Sequence, residues 1–194
     1  MNSAEQKSEL RRRARLLRRD VDRHAERSEQ IVQRVLTSTE YQSAHCLLCY
    51  VNVRSEVATE SLIRAALQTD KQLVVPYCMD DQLRLFHLQA RDELAPGAFG
   101  IDEPRSTLRD DPTRLVDPAM LELLILPGVA FDANGNRLGN GRGHFDRLLA
   151  GTSCHAVKMA ICFTCQLFPQ IPCEPHDIAM DCVLTESARF DRRK

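Results

Sequence analysis

The stretch of residues 123–151 constrains the fold more than any other part of the 194-residue chain. It opens with an apolar run, Leu123–Leu126, which is typical of a buried strand in a parallel sheet and which stops at a Pro-Gly pair. A polar turn and a glycine-rich segment follow, and His144–Leu149 is then typical of a short amphipathic helix that Gly151 ends. A strand, a glycine loop and a helix start in this order predict a place where backbone N–H groups converge on an anion.

The glycine-rich segment alternates Gly139, Gly141 and Gly143 with Asn140 and Arg142. It is not a Walker A loop, because no Gly-Lys-Ser/Thr ends it, and its spacing also differs from the dinucleotide-binding fingerprint. From these residues alone, a phosphate-binding loop and a plain mobile turn are equally supported.

Strand and helix patterns alternate along the rest of the chain. Apolar residues at helical spacing predict a first helix over Lys7–Arg19 and a second over His24–Thr37, with Asp22 as its N-cap. This alternation predicts an α/β fold with an open, mainly parallel sheet flanked by helices, in a single domain over residues 1–194. The other patterns predict strands at about 45–51, 72–76, 83–88, 156–163 and 182–185, and a helix that begins near Thr59.

The composition excludes several classes of protein. With 43% hydrophobic residues the chain can bury a core, and its formal charge of −1 gives no global attraction to nucleic acid or to a membrane. No apolar run approaches membrane-spanning length, and the N-terminal segment lacks the apolar centre of a secretion signal. We therefore expect a cytoplasmic protein that binds neither nucleic acid nor a membrane. The expected partner is a small-molecule substrate, and the expected oligomeric state is a monomer.

Eight cysteines raise the question of a metal site. The pairs Cys46-x-x-Cys49 and Cys162-x-x-Cys165 have the spacing of zinc ligands. The first pair lies in a predicted strand, however, where residues three apart point to opposite faces. We therefore interpret these cysteines as small buried hydrophobic residues.

Arginine dominates the first helix outside a narrow apolar stripe. Lys7 and Arg11 lie one turn apart and share a face, but composition alone does not decide whether they bind a ligand. A solvated basic surface is the interpretation adopted for Arg12, Arg13, Arg15 and Arg19. The stripe consists of Leu10, Ala14, Leu17 and Val21.

Glu56 follows a predicted strand and precedes a predicted helix. In an open parallel sheet such a connection lies at the carboxyl edge, where ligands bind. The alternative is a solvated acid ahead of a helix, where the helix dipole favours negative charge. Position alone leaves both interpretations open.

Charged residues surround the glycine-rich segment. Arg137 and Arg142 supply cations suited to bidentate phosphate contacts. Asp146 follows the last glycine closely enough to hold a Mg²⁺ ion that bridges phosphates, and either Asp132 or Asp177 is an option to complete the site. Each acid alone is more often a cap or a solvated loop residue, but together with the glycines they favour nucleotide-phosphate chemistry.

Five segments resemble motifs of the 5-formyltetrahydrofolate cyclo-ligase family, also called methenyltetrahydrofolate synthetases. Their order and spacing cover nearly the whole chain, so the combination is specific although the glycine run alone is not. The segments are Lys7-x-x-x-Arg11, Ser55–Thr59, Phe99–Pro104, Pro127–Arg147 and Pro175–Glu186.

The resemblance implies an open α/β fold similar to the NagB/RpiA/CoA-transferase group, and a reaction that depends on ATP and Mg²⁺. In that reaction the formyl oxygen on N5 of 5-formyltetrahydrofolate attacks the γ-phosphate of ATP. N10 then closes onto the activated carbon, and 5,10-methenyltetrahydrofolate, ADP and phosphate are released. The motifs suit this chemistry, because an amide-like oxygen is a poor leaving group and needs a phosphoryl donor held in line with its charge neutralised.

The resemblance also implies roles for individual residues. Glu56 and Arg142 are the expected catalytic residues, and Asp146 and Asp177 are the expected Mg²⁺ ligands. The folate is expected to contact Val51, Glu56, Asn140, Gly141, Arg142, Gly143 and His144. ATP is expected to contact Lys7, Arg11, Arg137, Leu138, Gly139, Asn140, Gly141, Arg142, Gly143, His144 and Phe145.

Two adjacent residues depart from the family pattern. His144 and Phe145 stand where the family has two tyrosines before the aspartate. Phe145 keeps a face for stacking but lacks a hydroxyl, and His144 adds a titratable group. We expect altered nucleotide contact or pH dependence without loss of the reaction. For His144, a helix-start residue that faces solvent is an equally supported alternative.

Two other functions stay open. A sugar-phosphate isomerase or transferase on a related fold would use the glycine loop for a substrate phosphate and would need neither ATP nor Mg²⁺. A binding module would place the arginine-rich first helix on nucleic acid, with an affinity that falls steeply with salt. Acidic residues interleaved with the arginines weaken this last option.

Overall fold

A seven-stranded sheet forms the centre of the computed structural model, which describes residues 3–97, 100–153, 155–174 and 177–192. The helices are α1 (Ser3–Arg19), α2 (His24–Leu36), α3 (Thr39–Ser43), α4 (Glu60–Leu67) and α5 (His144–Leu149). The strands are β1 (Cys46–Cys49), β2 (Gln72–Met79), β3 (Gln82–His87), β4 (Leu94–Pro96), β5 (Asp102–Pro104), β6 (Leu123–Leu126), β7 (Ala130–Phe131), β8 (Arg137–Leu138), β9 (Val157–Ile161), β10 (Cys182–Leu184) and β11 (Arg189–Asp191).

The strand order in the central sheet is β11-β10-β9-β6-β1-β2-β3. The strands from β10 to β2 run parallel, with Leu47 of β1 paired to Leu73 of β2 and to Leu123 of β6, while β3 and β11 are antiparallel edge strands. Every residue of β1 and β6 is buried, as continuous apolar runs in a parallel sheet require. The predicted open, mainly parallel α/β sheet is confirmed, whereas the likeness to the NagB/RpiA/CoA-transferase group stays a prediction.

Helices cover both faces of this sheet. On one face, Leu47 and Ile125 belong to a core shared with α2, α3 and α4. On the other face, Leu48 and Leu124 belong to a core shared with α5. Because successive residues of a strand point to opposite faces, each apolar run supplies both cores. In the described ranges, no helix is long and apolar enough to cross a membrane.

The cysteines of the strands are part of these cores. Cys46 and Cys49 are buried and belong to opposite faces of the sheet. Burial raises the pKa of Cys49 to about 12 and likewise that of Cys182 to about 12. The interpretation as small buried hydrophobic residues is confirmed for Cys46, Cys49, Cys162 and Cys182, whereas Cys78 and Cys165 are half-buried.

Helix α1 lies outside the two face layers and crosses the carboxyl edge of the sheet. Ala14 is fully buried in a separate apolar cluster with Val129 and Leu138, which follow β6, and with Phe168, which follows β9. The predicted apolar stripe is therefore only partly right, since Leu17 is 41% exposed.

Some predicted boundaries and caps were wrong. The helix predicted at 144–149 is confirmed as α5, but Asp22 does not cap α2. Arg23 occupies that position at φ 49° and no side chain caps the helix. β2 runs on to Met79 because it forms a hairpin with β3. The short elements α3, β4, β5, β7, β8 and β11 were not predicted, since each is too short to display a period.

Asp132 organises the turn between β7 and β8. It is fully buried, and its carboxylate accepts hydrogen bonds from the backbone N–H groups of Asn134, Asn136 and Ile171 and from the side chain of Asn136, at 2.9–3.1 Å. Four donors occupy the acceptor positions of this carboxylate. The option that Asp132 completes a magnesium site is therefore wrong, and its role is structural.

We expect Asp132→Ala to lower the free energy of unfolding by about 3 kcal/mol, because several buried N–H groups lose a charged acceptor. Urea unfolding followed by circular dichroism measures this change. Asp110→Ala removes the same charge from an exposed position and should shift stability by no more than about 0.5 kcal/mol. Equal stability of the two variants would contradict the structural role of Asp132.

Candidate active site

The candidate site lies at the carboxyl edge of the sheet, where the segments that leave β1, β6 and β9 turn beneath α1. One side of α1 faces this edge. Lys7, Arg11, Ala14 and Arg18 follow one another along it at i, i+4, i+7 and i+11, which places them on a single face of the helix. The face that anchors α1 through Ala14 therefore also directs three cations into the site.

Lys7 is buried and pairs with two acids of the C-terminal segment. Its Nζ lies 2.8 Å from Asp177 Oδ2 and 3.4 Å from Glu174 Oε1. Burial alone would lower the pKa of Lys7, but the hydrogen bonds and charges of Asp177 and Glu174 outweigh it, so the net shift of the pKa is upward. Lys7 is therefore a fixed positive charge that connects α1 to the segment carrying Asp177.

Arg11 and Arg15 hold the glycine-rich segment against α1. Arg11 Nε donates to Gly139 O at 2.9 Å, and Arg15 Nη2 donates to Asn140 Oδ1 at 3.1 Å. Gly141 has φ +100°, and a Cβ placed there would lie 3.6 Å from the Arg11 guanidinium carbon. Arg13 and Arg15 are exposed, as predicted for a solvated basic surface. Each nevertheless makes one contact with another segment, and that of Arg13 is with the face of the Phe168 ring.

Glu56 is buried in the connection between β1 and α4, with 8% of its surface exposed. Val53 N donates to Glu56 Oε2 at 3.2 Å, and Thr59 Oγ1 donates to Tyr50 O at 2.8 Å, which closes the connection into a compact loop. Burial raises the pKa of Glu56, and the charge of Arg18 together with the N–H of Val53 partly opposes the rise. Glu56 is thus a desolvated carboxyl group, and the alternative of a solvated acid was wrong.

Arg18 is a site residue that the sequence interpretation missed. Its Nε donates to Ser55 Oγ at 3.2 Å, its Nη1 donates to Gly128 O at 3.4 Å, and Nη1 lies 3.8 Å from Glu56 Oε1. In the sequence, Arg18 stands in an arginine-rich run. The available signal was its spacing from Lys7 and Arg11 on one helix face.

Arg137 lies beneath the glycine-rich segment with 3% of its side chain exposed. Its Nη2 donates to Asp146 Oδ1 at 2.7 Å, its Nη1 donates weakly to Pro127 O at 3.5 Å, and its guanidinium lies over the Phe145 ring. Arg137 Nε is buried and, in the part of the chain that the structure describes, has no hydrogen-bond partner. A buried guanidinium N–H of this kind is a candidate to meet an anion.

His144 does not face solvent. Its side chain is 16% exposed, and Nε2 lies 2.9 Å from Oδ1 of Asp81 in the turn between β2 and β3. Arg147 donates to Asp81 O at 3.0 Å and to Arg142 O at 2.9 Å. The start of α5 is therefore tied to the β2–β3 hairpin, and the solvent-facing alternative for His144 was wrong.

The remaining predicted residues differ in exposure. Val51 is half-buried and packs against the core beside the start of the β1–α4 connection, and Leu138 is buried under α1. The side chain of Leu138 therefore faces the apolar cluster. Asn140 and Arg142 are exposed at the surface of the glycine-rich segment, and Gly143 is half-buried at φ +65°.

Asp146 and Asp177, the predicted Mg²⁺ ligands, are each held by a buried cation. Arg137 binds Asp146, and Lys7 binds Asp177. Over the described residues, no group of three or more His, Cys, Asp or Glu side chains could hold a metal ion. A magnesium ion bound to nucleotide phosphates does not require such a group, because one or two carboxylates, phosphate oxygens and waters fill its coordination sphere.

Comparison with known proteins gives a consistent family. The sequence model of the 5-formyltetrahydrofolate cyclo-ligase family matches residues 3–186. The 5-formyltetrahydrofolate cyclo-ligase of Mus musculus is 30% identical over 200 residues, covering 97% of this chain and 96% of the relative. That of Escherichia coli strain K12 is 28% identical over 170 residues, covering 86% and 91%.

Solved structures agree with the sequence comparison. The 5,10-methenyltetrahydrofolate synthetase of Aquifex aeolicus superposes with a TM-score of 0.83 at 29% identity, covering 97% of this chain and 93% of the other. The synthetase of Mycoplasma pneumoniae superposes with a TM-score of 0.73 at 17% identity, covering 93% and 98%, and supports the fold alone. The chain belongs to the 5-formyltetrahydrofolate cyclo-ligase family.

Proposed function

We propose that this chain, as a cytoplasmic monomer, converts 5-formyltetrahydrofolate to 5,10-methenyltetrahydrofolate with ATP and Mg²⁺, releasing ADP and phosphate. The observation that carries the proposal is the position of α1, whose single buried face brings Arg11 to the glycine-rich segment and Arg18 to Glu56. A reaction between a nucleotide and a folate needs two such half-sites side by side. Family membership favours this function over a sugar-phosphate isomerase or transferase.

The glycine-rich segment suits a polyphosphate. Lys7, Arg11, Arg137 and Arg142 provide the positive charge, and the partnerless Nε of Arg137 provides a buried donor. Gly141 lets the backbone adopt a conformation that side chains rarely allow. When bound, ATP supplies the phosphoryl group that makes the formyl oxygen a leaving group. The part of the protein is to hold the phosphates and to offset their charge.

Asp146 and Asp177 are the proposed Mg²⁺ ligands. Carboxylate oxygens are the hard ligands that Mg²⁺ prefers beside phosphates. Both acids follow segments that contact α1, and their partners Arg137 and Lys7 restrict where each carboxylate lies. This fixes two anionic groups near the glycine-rich segment without a dedicated protein cage.

Glu56 is the proposed ligand of the pterin. A desolvated carboxylate accepts hydrogen bonds from N–H groups strongly, and the pterin edge carries such groups. Val51 offers an apolar surface at the start of the same loop. Asn140 to His144 are proposed to contact folate as well as nucleotide, and Arg142 to act on the charge that develops during phosphoryl transfer.

The activity is tested by mixing the protein with 5-formyltetrahydrofolate, ATP and Mg²⁺ and following the absorbance of methenyltetrahydrofolate. We expect product to accumulate in step with ADP, and omission of either ATP or Mg²⁺ should stop it, because the formyl oxygen then has no phosphoryl acceptor. Absence of product with all components present, or equal product without ATP, would contradict the proposed function.

Asp146→Ala tests the metal assignment. We expect turnover to fall by about a hundredfold or more, the scale seen when an electrostatic partner of a transition state is lost. Binding of ATP without Mg²⁺, measured by calorimetry, should not weaken, because Arg137 keeps its charge and loses a competing carboxylate. The variant should therefore resemble the parent protein assayed without metal. The exposed control Asp110→Ala should keep full turnover. Full activity of Asp146→Ala at limiting Mg²⁺ would refute the assignment.

A further inference from the structure

Arg18 contacts two segments of the site from a single position on α1. It donates to Ser55 Oγ in the β1–α4 connection and to Gly128 O in the segment after β6, and its guanidinium lies beside the Glu56 carboxylate. Only 11% of its side chain is exposed. A buried guanidinium with partners on separate segments fixes their relative positions, because its donors diverge from one rigid plane.

The contact between Arg18 and Glu56 is close without being a hydrogen bond. Arg18 Nη1 lies 3.8 Å from Glu56 Oε1, which is beyond hydrogen-bond length but near enough for a strong charge interaction. The other carboxylate oxygen, Oε2, accepts one bond from Val53 N. No described residue donates a hydrogen bond to Oε1 of Glu56. This oxygen is therefore available as an acceptor for a ligand.

Few ionisable groups act on Glu56. Arg18 faces it from α1 and favours the charged form, while Tyr50 from the end of β1 is buried nearby and directs its hydroxyl to Val57 O. Burial raises the pKa of this carboxyl group, and the charge of Arg18 opposes the rise. Among the described residues, Arg18 is the cation that favours the charged form of Glu56.

We propose that Arg18 is the positioning residue of the folate half-site, holding Glu56 as an oriented carboxylate whose Oε1 accepts an N–H of the pterin. This inference rests on the proposed function, since it takes the folate to be the ligand of Glu56. Arg18 contributes charge and orientation and leaves the acceptor atom unoccupied. Loss of Arg18 would allow Glu56 to take up a proton at higher pH, and a protonated carboxyl group with its proton on Oε1 no longer accepts that bond.

Steady-state kinetics of Arg18→Met test this role. They are measured over pH ~5 to ~8.5, a range in which a carboxyl group with a raised pKa changes its charge. We expect the KM for 5-formyltetrahydrofolate to rise about tenfold near neutral pH, the scale of one weakened hydrogen bond to a charged group. The KM for ATP and kcat should change by less than roughly threefold. The variant loses folate binding equally in the ground state and the transition state, and such a loss raises only the KM of that substrate. The rise of folate KM on acidification should begin at higher pH than in the parent protein, because removal of the cation raises the pKa of Glu56 further.

Three further variants sharpen the test. Arg18→Lys keeps the charge and should bring the acid rise of folate KM back towards that of the parent. Glu56→Gln should bind folate weakly at every pH, without an acid rise and with ATP binding intact. Arg19→Met removes the same charge from the exposed neighbour, whose side chain is 71% exposed, and should match the parent.

Two results would overturn the inference about Arg18. An unchanged folate KM in Arg18→Met is one, and an equal loss of folate and ATP affinity at all pH values, which indicates a structural role only, is the other. Failure of the proposed function is separately visible, because the parent protein itself would then show no ATP-dependent turnover.

Discussion

The packing of α1 across the carboxyl edge is the interaction on which the site depends. Glu56 lies in the connection after β1, the glycine-rich segment lies between β8 and α5, and α1 contacts both. Ala14 lies at the centre of its buried face, between Arg11 and Arg18. Because the alanine is small, α1 packs close to the sheet edge, and the long charged side chains on either side reach the site. Burial of Lys7 and Arg18 is tolerated because each finds acceptors on the segments that it joins.

Two buried carboxylates show how environment separates structure from function. Asp132 accepts four hydrogen bonds and has no capacity left for a ligand. Glu56 is nearly as buried, but within the described ranges its carboxylate accepts one hydrogen bond, and Arg18 lies too far from it to occupy an acceptor position. The first carboxylate stabilises a turn, whereas the second keeps an acceptor position that a ligand can use.

Much of this arrangement was predictable from the sequence. Continuous apolar runs predicted β1 and β6, and the strand-to-helix connection placed Glu56 at the ligand-binding edge. Arg18 was missed because composition within an arginine-rich helix does not show which side chain meets an acid far along the chain. The pairing of His144 with Asp81 was missed for the same reason, since contacts between distant segments leave no period in the sequence.

Ala14→Leu tests most directly whether one helix face assembles both half-sites. Ala14 is fully buried, with 0% solvent exposure. The larger leucine side chain should therefore displace α1, at a cost in stability of about 1–3 kcal/mol. Calorimetry should then show that the affinities for 5-formyltetrahydrofolate and for a non-hydrolysable ATP analogue with Mg²⁺ both fall about tenfold or more. Each ligand must return α1 to its original position before it can bind, and this costs binding free energy. Leu17→Gln, at a 41% exposed position of the same helix, should bind both ligands normally. Parent-like affinity of Ala14→Leu for either ligand would contradict the account.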